Sequence, residues 1–406
     1  MNIRCIKCKG RDPSICGRAF CPIMAKISAQ KKVNLSAKQD FFGKSPNVFV
    51  GRFGYPEVNV GILGVEEYEE HDNPLLWSRE NYDIARIINL RSSLVNSNFK
   101  AQITGFKERF LSMSQEISMA KEPVDVEVNL SKKPVFDLNF NQDTMPHGPS
   151  IRLKQARITE NPKIPHKVDK AVSDIDLKAG EALKQLSKSE FDEHYLTKLL
   201  STGSLGVKAQ RKLVPTRFAI TAVDSNLGND LVRKIKEYNQ TGYLAFFGGY
   251  LGNYFLILLF PEVYSYELFE TYAPNVSWNI SGEMNYTTDY EPYDGRKSYA
   301  ENCAGGFYAC RFALLEKLIS MKRQASCLCL RFITGDYYAP LGVWVVREAV
   351  RKALANKPIE FSSKELMLTY AQSLAKKKFG YDVSGMLQKS IMLNSIKTQK
   401  KLNFFL

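Results

Sequence analysis

The run YLAFFGGYLGNYFLILLF, residues 243–260, is the most apolar stretch of the chain and the strongest constraint on its fold. It is about the length of a membrane span. Gly248, Gly249, Gly252 and Asn253 break it in the middle, so it reads as two buried strands, Tyr243–Phe247 and Tyr254–Phe260, joined by a Gly-rich turn. With 44% apolar residues the chain can bury a real core. Its 406 residues allow one large domain or two to three ordinary ones.

Other segments alternate between strand and helix signals. SPNVFVGRFGYPEVNVGIL, 45–63, carries two β-branched runs, Val48–Val50 and Val58–Ile62, around the turn-rich GRFGYP. VDVEVNL and PVFDLNF alternate strictly and read as half-buried strands, and DTMPHGPSIRL as a loop leading into a strand. Helical patterns cover 78–95, 105–120, the Lys-rich 167–201, 306–322 and 342–356. A last helix starts at Ser362, where Ser362 and Glu365 form a capping box, and stops at Gly380. PTRFAITAVD reads as a strand. Strands and helices without regular βαβ alternation predict an α+β fold, a mixed sheet with several long helices. The expected division is an N-terminal knuckle over 1–30, a core over 31–380 with a subdomain boundary near 150–170, and a flexible tail over 381–406.

Lys and Arg outnumber Asp and Glu by 56 to 42, a net charge of +14 that favours nucleic acid, nucleotide or an anionic surface as partner. The N-terminus MNIRCIKCKG has no apolar core of a secretory signal, so the expectation is a cytoplasmic protein without a membrane partner, where thiols stay reduced. Four of the eight cysteines crowd the start as C-x2-C-x7-C-x4-C: Cys5, Cys8, Cys16 and Cys21. Four thiolates on sharp turns complete a closed tetrahedral Zn2+ site, structural because no ligand position is left for water. Iron–sulfur is the rival reading. Cys303, Cys310, Cys327 and Cys329 lie in apolar settings and read as core residues.

The candidate phosphate contacts are basic residues in particular surroundings. Arg52 sits on a tight turn between Gly51 and Gly54, where it can take a phosphate bidentately or merely decorate a hairpin. Arg152 and Lys154 follow His147 and Ser150 in MPHGPSIRLK. Arg211, Lys212 and Arg217 precede the expected strand, and Asp224 at its end is either a functional acid or a cap for DSNLG. Asp174 and Asp176 either cap the helix after them or, helped by Asp224, hold Mg2+ or Mn2+ for phosphodiester cleavage. Lys322, Arg323, Arg331 and Arg347 bind phosphates or pair with Glu316 and Glu348. No H-E-x-x-H, Walker or G-x-S-x-G signature is present, and four histidines leave little room for His-based catalysis. An enzyme, a binding factor and an adaptor without DNA affinity all stay open.

The final residues, QKKLNFFL, place Gln399, Leu402, Phe405 and Leu406 in the pattern of a PCNA-interacting peptide. Leu402, Phe405 and Leu406 at i, i+3, i+4 share one face of a helical turn and form an apolar plug, with Gln399 at its rim. Packing as a strand on its own domain is the alternative. Together the cysteine knuckle, this hook, and CIKCKGRDPSICGRAFCPI, RKLVPTRFAITAVDSNLG and YYAPLGVWVVREAVRKAL resemble the archaeal NreA family of DNA repair proteins along the whole chain. The resemblance implies a nucleoid-associated role in DNA damage repair linked to the PCNA sliding clamp, and implies no defined reaction.

Overall fold

Strand β1 (Asp40–Val50) is the longest strand of the chain's first unit because it serves two neighbours. Its first half, Asp40–Ser45, pairs antiparallel with β4 (Val124–Leu130). Its second half, Asn47–Val50, pairs antiparallel with β2 (Glu57–Val65), and the register slips between Lys44 and Asn47. That bulge bends the strand from one partner to the other. Gly43 sits at the crossing, where a Cβ would collide with the Val65 carbonyl. With β3 (Val95–Gln102) and β5 (Ser150–Ile158) the strands close a barrel in the order β1-β2-β3-β5-β4, with β3 and β5 parallel. This is the connectivity of the OB barrel, a five-stranded Greek-key architecture. The computed structural model describes residues 38–104, 106, 108–134, 148–274, 276, 278–279 and 281–398.

Alternation fills the barrel. Val124, Val126, Val128 and Leu130 of β4 point inward and are buried. Helices α1 (Pro74–Arg79) and α2 (Ile84–Ser93) are inserted between β2 and β3. Helix α3 (Arg109–Met119), between β3 and β4, adds Leu111 and Ile117 to the barrel core. After β5 come α4 (His166–Ser173), α5 (Ala179–Ser187) and α6 (Glu193–Ser201). The α6 residue Tyr195 donates its hydroxyl to the Met119 carbonyl, and Lys198 Nζ donates to the Pro46 carbonyl at 3.3 Å. Buried Asp72 accepts from Asn47 of β1 and Arg91 of α2, and lies 3.3 Å from His194 Nε2 of α6. One carboxylate thus ties barrel, insertion and trailing helices.

The chain divides into two compact units between Leu227 and Gly228, within α7 (Thr216–Ile235). This corrects the expected boundary near 150–170: Ser150 opens the strand that closes the barrel, and the helices after it pack back onto α3 and β1. PTRFAITAVD is also helix, not strand. Ala219, Val223 and Leu227 recur at i, i+4, i+8 and are buried, so helical spacing governs despite the β-branched residues between them.

The second unit is built on a six-stranded sheet, β11-β6-β7-β10-β8-β9, in which only β10 and β8 run parallel. Its strands are β6 (Tyr243–Tyr250), β7 (Asn253–Phe260), β8 (Ser265–Tyr272), β9 (Asn285–Glu291), β10 (Ser326–Ile333) and β11 (Ile359–Phe361). The apolar run is indeed a β6–β7 hairpin. Its turn falls at Leu251 and Gly252, both with positive φ, which suits a tight hairpin. Every residue of β10 is buried. Helices α8 (Ala304–Met321) and α9 (Trp344–Ala355) pack together, and α9 lies against β6 and β7. Helices α10 (Lys364–Phe379), α11 (Ser384–Gln388) and α12 (Ile391–Thr398) bring Met367, Ala371, Met386 and Met392 onto Leu258, Leu328 and Leu330. The cap of α10 is Ser363, one residue later than expected, since its side chain accepts from Leu366 N. Gly380 ends that helix in the left-handed region, as its sequence predicts. Cys303, Cys310, Cys327 and Cys329 are free and buried.

The expected flexible tail from 381 is corrected over 381–398, which is largely helical and packed on the sheet. Short amphipathic turns without a long period hid it. Glu267 of β8 fixes the last helix: it accepts from Ser390 Oγ at 2.5 Å, Ile391 N at 3.0 Å and Met392 N at 3.1 Å. A carboxylate at a helix N-terminus satisfies the otherwise unpaired amides. The knuckle cysteines, all of PVFDLNF but Pro134, His147 and residues 399–406 lie outside the described residues.

Two outcomes follow from these anchors. Glu267→Ala leaves two amides and a hydroxyl without their acceptor, so hydrogen exchange over Ile391–Thr398 rises and stability falls by about 1–3 kcal/mol. For Asp72, burial acts to raise the carboxyl, but Arg91 and His194 more than offset it and hold it well below the usual carboxylate range. Its stabilisation is present above the ordinary Asp value of about 3.9 and is lost as pH falls through the lowered one. Asp72→Ala should cost about 3–5 kcal/mol at neutral pH and less in acid, read from denaturant melts at each pH.

Candidate functional site

Four barrel strands place one residue each in a single row on the outer wall. Phe49 of β1 lies opposite Gly61 of β2, Gly61 opposite Asn98 of β3, and Asn98 opposite Arg152 of β5. Gly61 is buried, and the Asn96 amide lies over it where a side chain would stand, so Asn96 covers the middle of the row. Phe49 is 43% exposed although its neighbours Val48 and Val50 are buried in the barrel. Lys154 shares the outward face of β5 with Arg152, two residues further along. Asn98 Nδ2 donates to Ser150 Oγ at 3.0 Å, and Lys100 pairs with Glu57 at 2.9 Å. In the opposite direction Asn47 and Leu63 are buried, Asn47 on the Asp72 carboxylate, so the wall is open at one end only.

At that open end three segments converge. The β1–β2 turn, 51–56, carries Arg52, Phe53 and Tyr55, with Phe53 75% and Tyr55 58% exposed. The Arg52 guanidinium lies over the Phe53 ring, 4.8 Å from its centroid. Ile103, just after β3, donates its amide to the Pro56 carbonyl at 3.1 Å and accepts from Leu213 N at 2.8 Å. Thr216, opening α7, accepts from Val50 N at 2.9 Å. Exposed Lys212, Arg217 and Phe218 therefore border the same end of the barrel.

Of the basic residues singled out in the sequence, Arg52, Arg152, Lys154, Lys212 and Arg217 thus gather around one end of one barrel. Arg211 does not join them. Its guanidinium donates to the carbonyls of Gly206 at 2.7 Å, Val172 at 2.7 Å and Asp174 at 3.1 Å, holding two loops together. Partial burial pushes its pKa down. In the second unit Arg331 is buried on Glu270, and both Glu316 and Glu348 pair with Arg351.

The acids neither converge on one site nor cap the helix after them, whose N-cap is Lys178 without a side-chain cap bond. Asp174 Oδ1 accepts from Asp176 N and Leu177 N, both at 3.0 Å, in a turn after α4. Asp176 is exposed, and Asp224 is buried within α7 rather than standing at a strand end. Among the described residues no three His, Cys, Asp or Glu side chains group closely enough to hold a metal ion. The sequence reading missed the aromatics, Phe49, Phe53, Tyr55 and Phe218. Their signal was present: Phe49 sits out of phase in VFV, and FGY occupies a turn where rings have no interior to enter.

Residues 15–279 match the family described as archaeal Nre, N-terminal, and residues 291–405 that described as archaeal Nre, C-terminal. The chain belongs to the archaeal Nre family. Among its Nre relatives, the DNA repair protein NreA of Archaeoglobus fulgidus is 38% identical over 387 residues, 93% of this chain and 95% of that one. NreB of the same organism, also a DNA repair protein, is 35% identical over 395 residues, 96% of each chain. NreA of Haloferax volcanii is 37% identical over 327 residues, 78% of each chain. No solved structure matches this Nre chain. Among the described residues no helix is long and apolar enough to cross a membrane.

The geometry separates the basic residues by role. Arg211→Ala releases three carbonyl acceptors and should lower stability by about 1–3 kcal/mol in denaturant melts. Arg152→Ala leaves the melts unchanged, because its side chain is exposed on the wall.

Proposed function

We propose that this Nre chain is a DNA repair factor that holds DNA or nucleotide phosphates on the basic end of its barrel and is recruited to the PCNA sliding clamp by its C-terminal hook. One observation carries the reading: a chain whose near full-length relatives are named DNA repair proteins gathers Arg52, Arg152, Lys154 and Arg217 at one barrel end. Loose arginines and lysines around a wall suit a phosphate backbone, which needs charge spaced along a path rather than a closed pocket. In this reading Cys5, Cys8, Cys16 and Cys21 hold a structural Zn2+. Gln399, Leu402, Phe405 and Leu406 seat in the apolar pocket of the clamp, and Lys397, Lys400 and Lys401 steer the approach.

The acids Asp174, Asp176 and Asp224 have no part in this reading, because two serve turn and surface and one is interior to a helix. The four cysteines are assigned to metal by spacing and not by contact, so Zn2+ content is measured directly. Elemental analysis should give one Zn2+ per chain, lost in Cys8→Ser; unchanged content in that variant removes the assignment.

Binding to a labelled DNA should weaken steeply between 50 and 200 mM salt, as counterion release requires (on the order of tenfold or more). Arg152→Ala combined with Lys154→Ala should flatten the log–log salt slope by about 1–2. Salt-independent binding, or a slope unaltered in the double variant, counts against the barrel as the phosphate site. Removing 399–406 should abolish clamp binding in a pull-down with purified clamp while the melting temperature stays within a degree or so, since a peptide hook contributes nothing to the core. A lower melting temperature would instead make that segment part of the fold.

A further inference from the structure

We propose that the open end of the barrel wall is a cleft for single-stranded nucleic acid, with bases stacked on Phe49, Phe53 and Tyr55 and the backbone carried by Arg52, Arg152 and Lys154. The inference deepens the preceding section and rests on it, since it names the form of DNA that the phosphate site takes. Phosphate contacts alone do not distinguish a duplex from a single strand. The aromatic side chains do.

Seven aromatic side chains are exposed among the described residues: Phe42, Phe49, Phe53, Tyr55, Phe218, Tyr293 and Tyr299. Four of them border this one barrel end, interleaved with the arginines and lysines. Leaving rings of that size in water is unfavourable, at roughly 25 cal/mol per Å² of apolar surface. A duplex keeps its bases stacked on one another and would leave these rings wet. An unpaired strand offers a π-face at every nucleotide, and base–aromatic stacking tolerates any sequence.

The arrangement gives such a strand a path. The row from Phe49 across Gly61 and Asn98 to Arg152 crosses four adjacent strands, about 14 Å at the usual strand spacing. In its middle the Asn96 amide lies over Gly61, so a strand crossing there meets an amide rather than a bulky side chain. Asn59 and Asn98 offer amides that can donate and accept toward base edges. Glu57 is the carboxylate on this wall, and Lys100 pairs with it, so the net field over the row stays positive. Arg52 covers one side of the Phe53 ring, and an exposure of 75% leaves the other side for a base. The β2–β3 face and the β1–β2 loop are also where OB barrels bind oligonucleotides, which is an analogy of fold and adds to the residues rather than replacing them.

The test is fluorescence anisotropy on the full chain with a labelled oligothymidylate and with a mixed-sequence duplex of equal length. Three proteins are compared: wild type, Phe53→Ala/Tyr55→Ala and Phe53→Trp. Both substituted residues stand in an exposed turn, and thermal melts confirm that the variants fold. Wild type should bind the single strand more tightly than the duplex. The double variant should lose tenfold or more on the single strand and less than threefold on the duplex, while Phe53→Trp retains single-strand binding. Equal losses on both DNAs, or no loss on the single strand, overturn the cleft. Binding of the duplex alone also overturns it and leaves the phosphate site of the previous section standing. Binding of neither DNA removes both.

Discussion

The first unit depends on one strand holding two partners at once. β1 leaves β4 and joins β2 through a bulge between Lys44 and Asn47, and Gly43 lets the crossing happen without a side chain in the way. Were β1 straight, the five strands would make an open sheet with two unpaired edges. Closure has a second effect. It curves the wall so that Phe49, the last outward residue of β1, stands beside the turn that carries Arg52, Phe53 and Tyr55. The bend that completes the core is the same bend that assembles the candidate interface.

Polar groups in the interior are used to join elements far apart in the chain. Asp72 gathers Asn47, Arg91 and His194 from β1, α2 and α6. In the second unit Arg311 pairs with Glu291 at 2.5 Å, and Arg331 takes Glu270 and Asn253 together. Isolated buried ions are costly, and such groups persist when each partner is satisfied. These networks occupy cations that a sequence reading offers as ligand contacts. Composition therefore overstates the charge available for binding: Arg211, Arg311 and Arg331 belong to the scaffold, whereas Arg52, Arg152 and Lys154 remain at the surface.

Much of this is legible in the sequence. The mixed α+β character, the apolar hairpin, strand β4 and the stop at Gly380 all follow from local periodicity and turn chemistry, which neighbouring residues alone determine. Other features escaped because they depend on contacts distant in sequence. PTRFAITAVD looks like a strand until Ala219, Val223 and Leu227 are seen to share one buried helical face. The barrel order is invisible in a linear reading because β5 is inserted between β3 and β4. Of the candidate site the charges were found and the aromatics were not. An exposed ring has meaning only once its neighbours across the strands are known, and Asn98 and Arg152 reach Phe49 through pairing rather than proximity in sequence.

Glu267 sets how far the proposed hook can travel. By seating the first amides of α12 on a central strand, it fixes the point from which the remaining chain departs, at Thr398. Phe405 is seven residues on from Thr398, a distance that spans only about 25 Å even fully stretched. A ring engaged by that plug would be held on a short leash against the second unit, with little freedom to swivel. The local concentration of clamp around the protein would then be set by the sheet to which the helix is pinned, and a substitution at the buried Glu267 carboxylate would lengthen the leash.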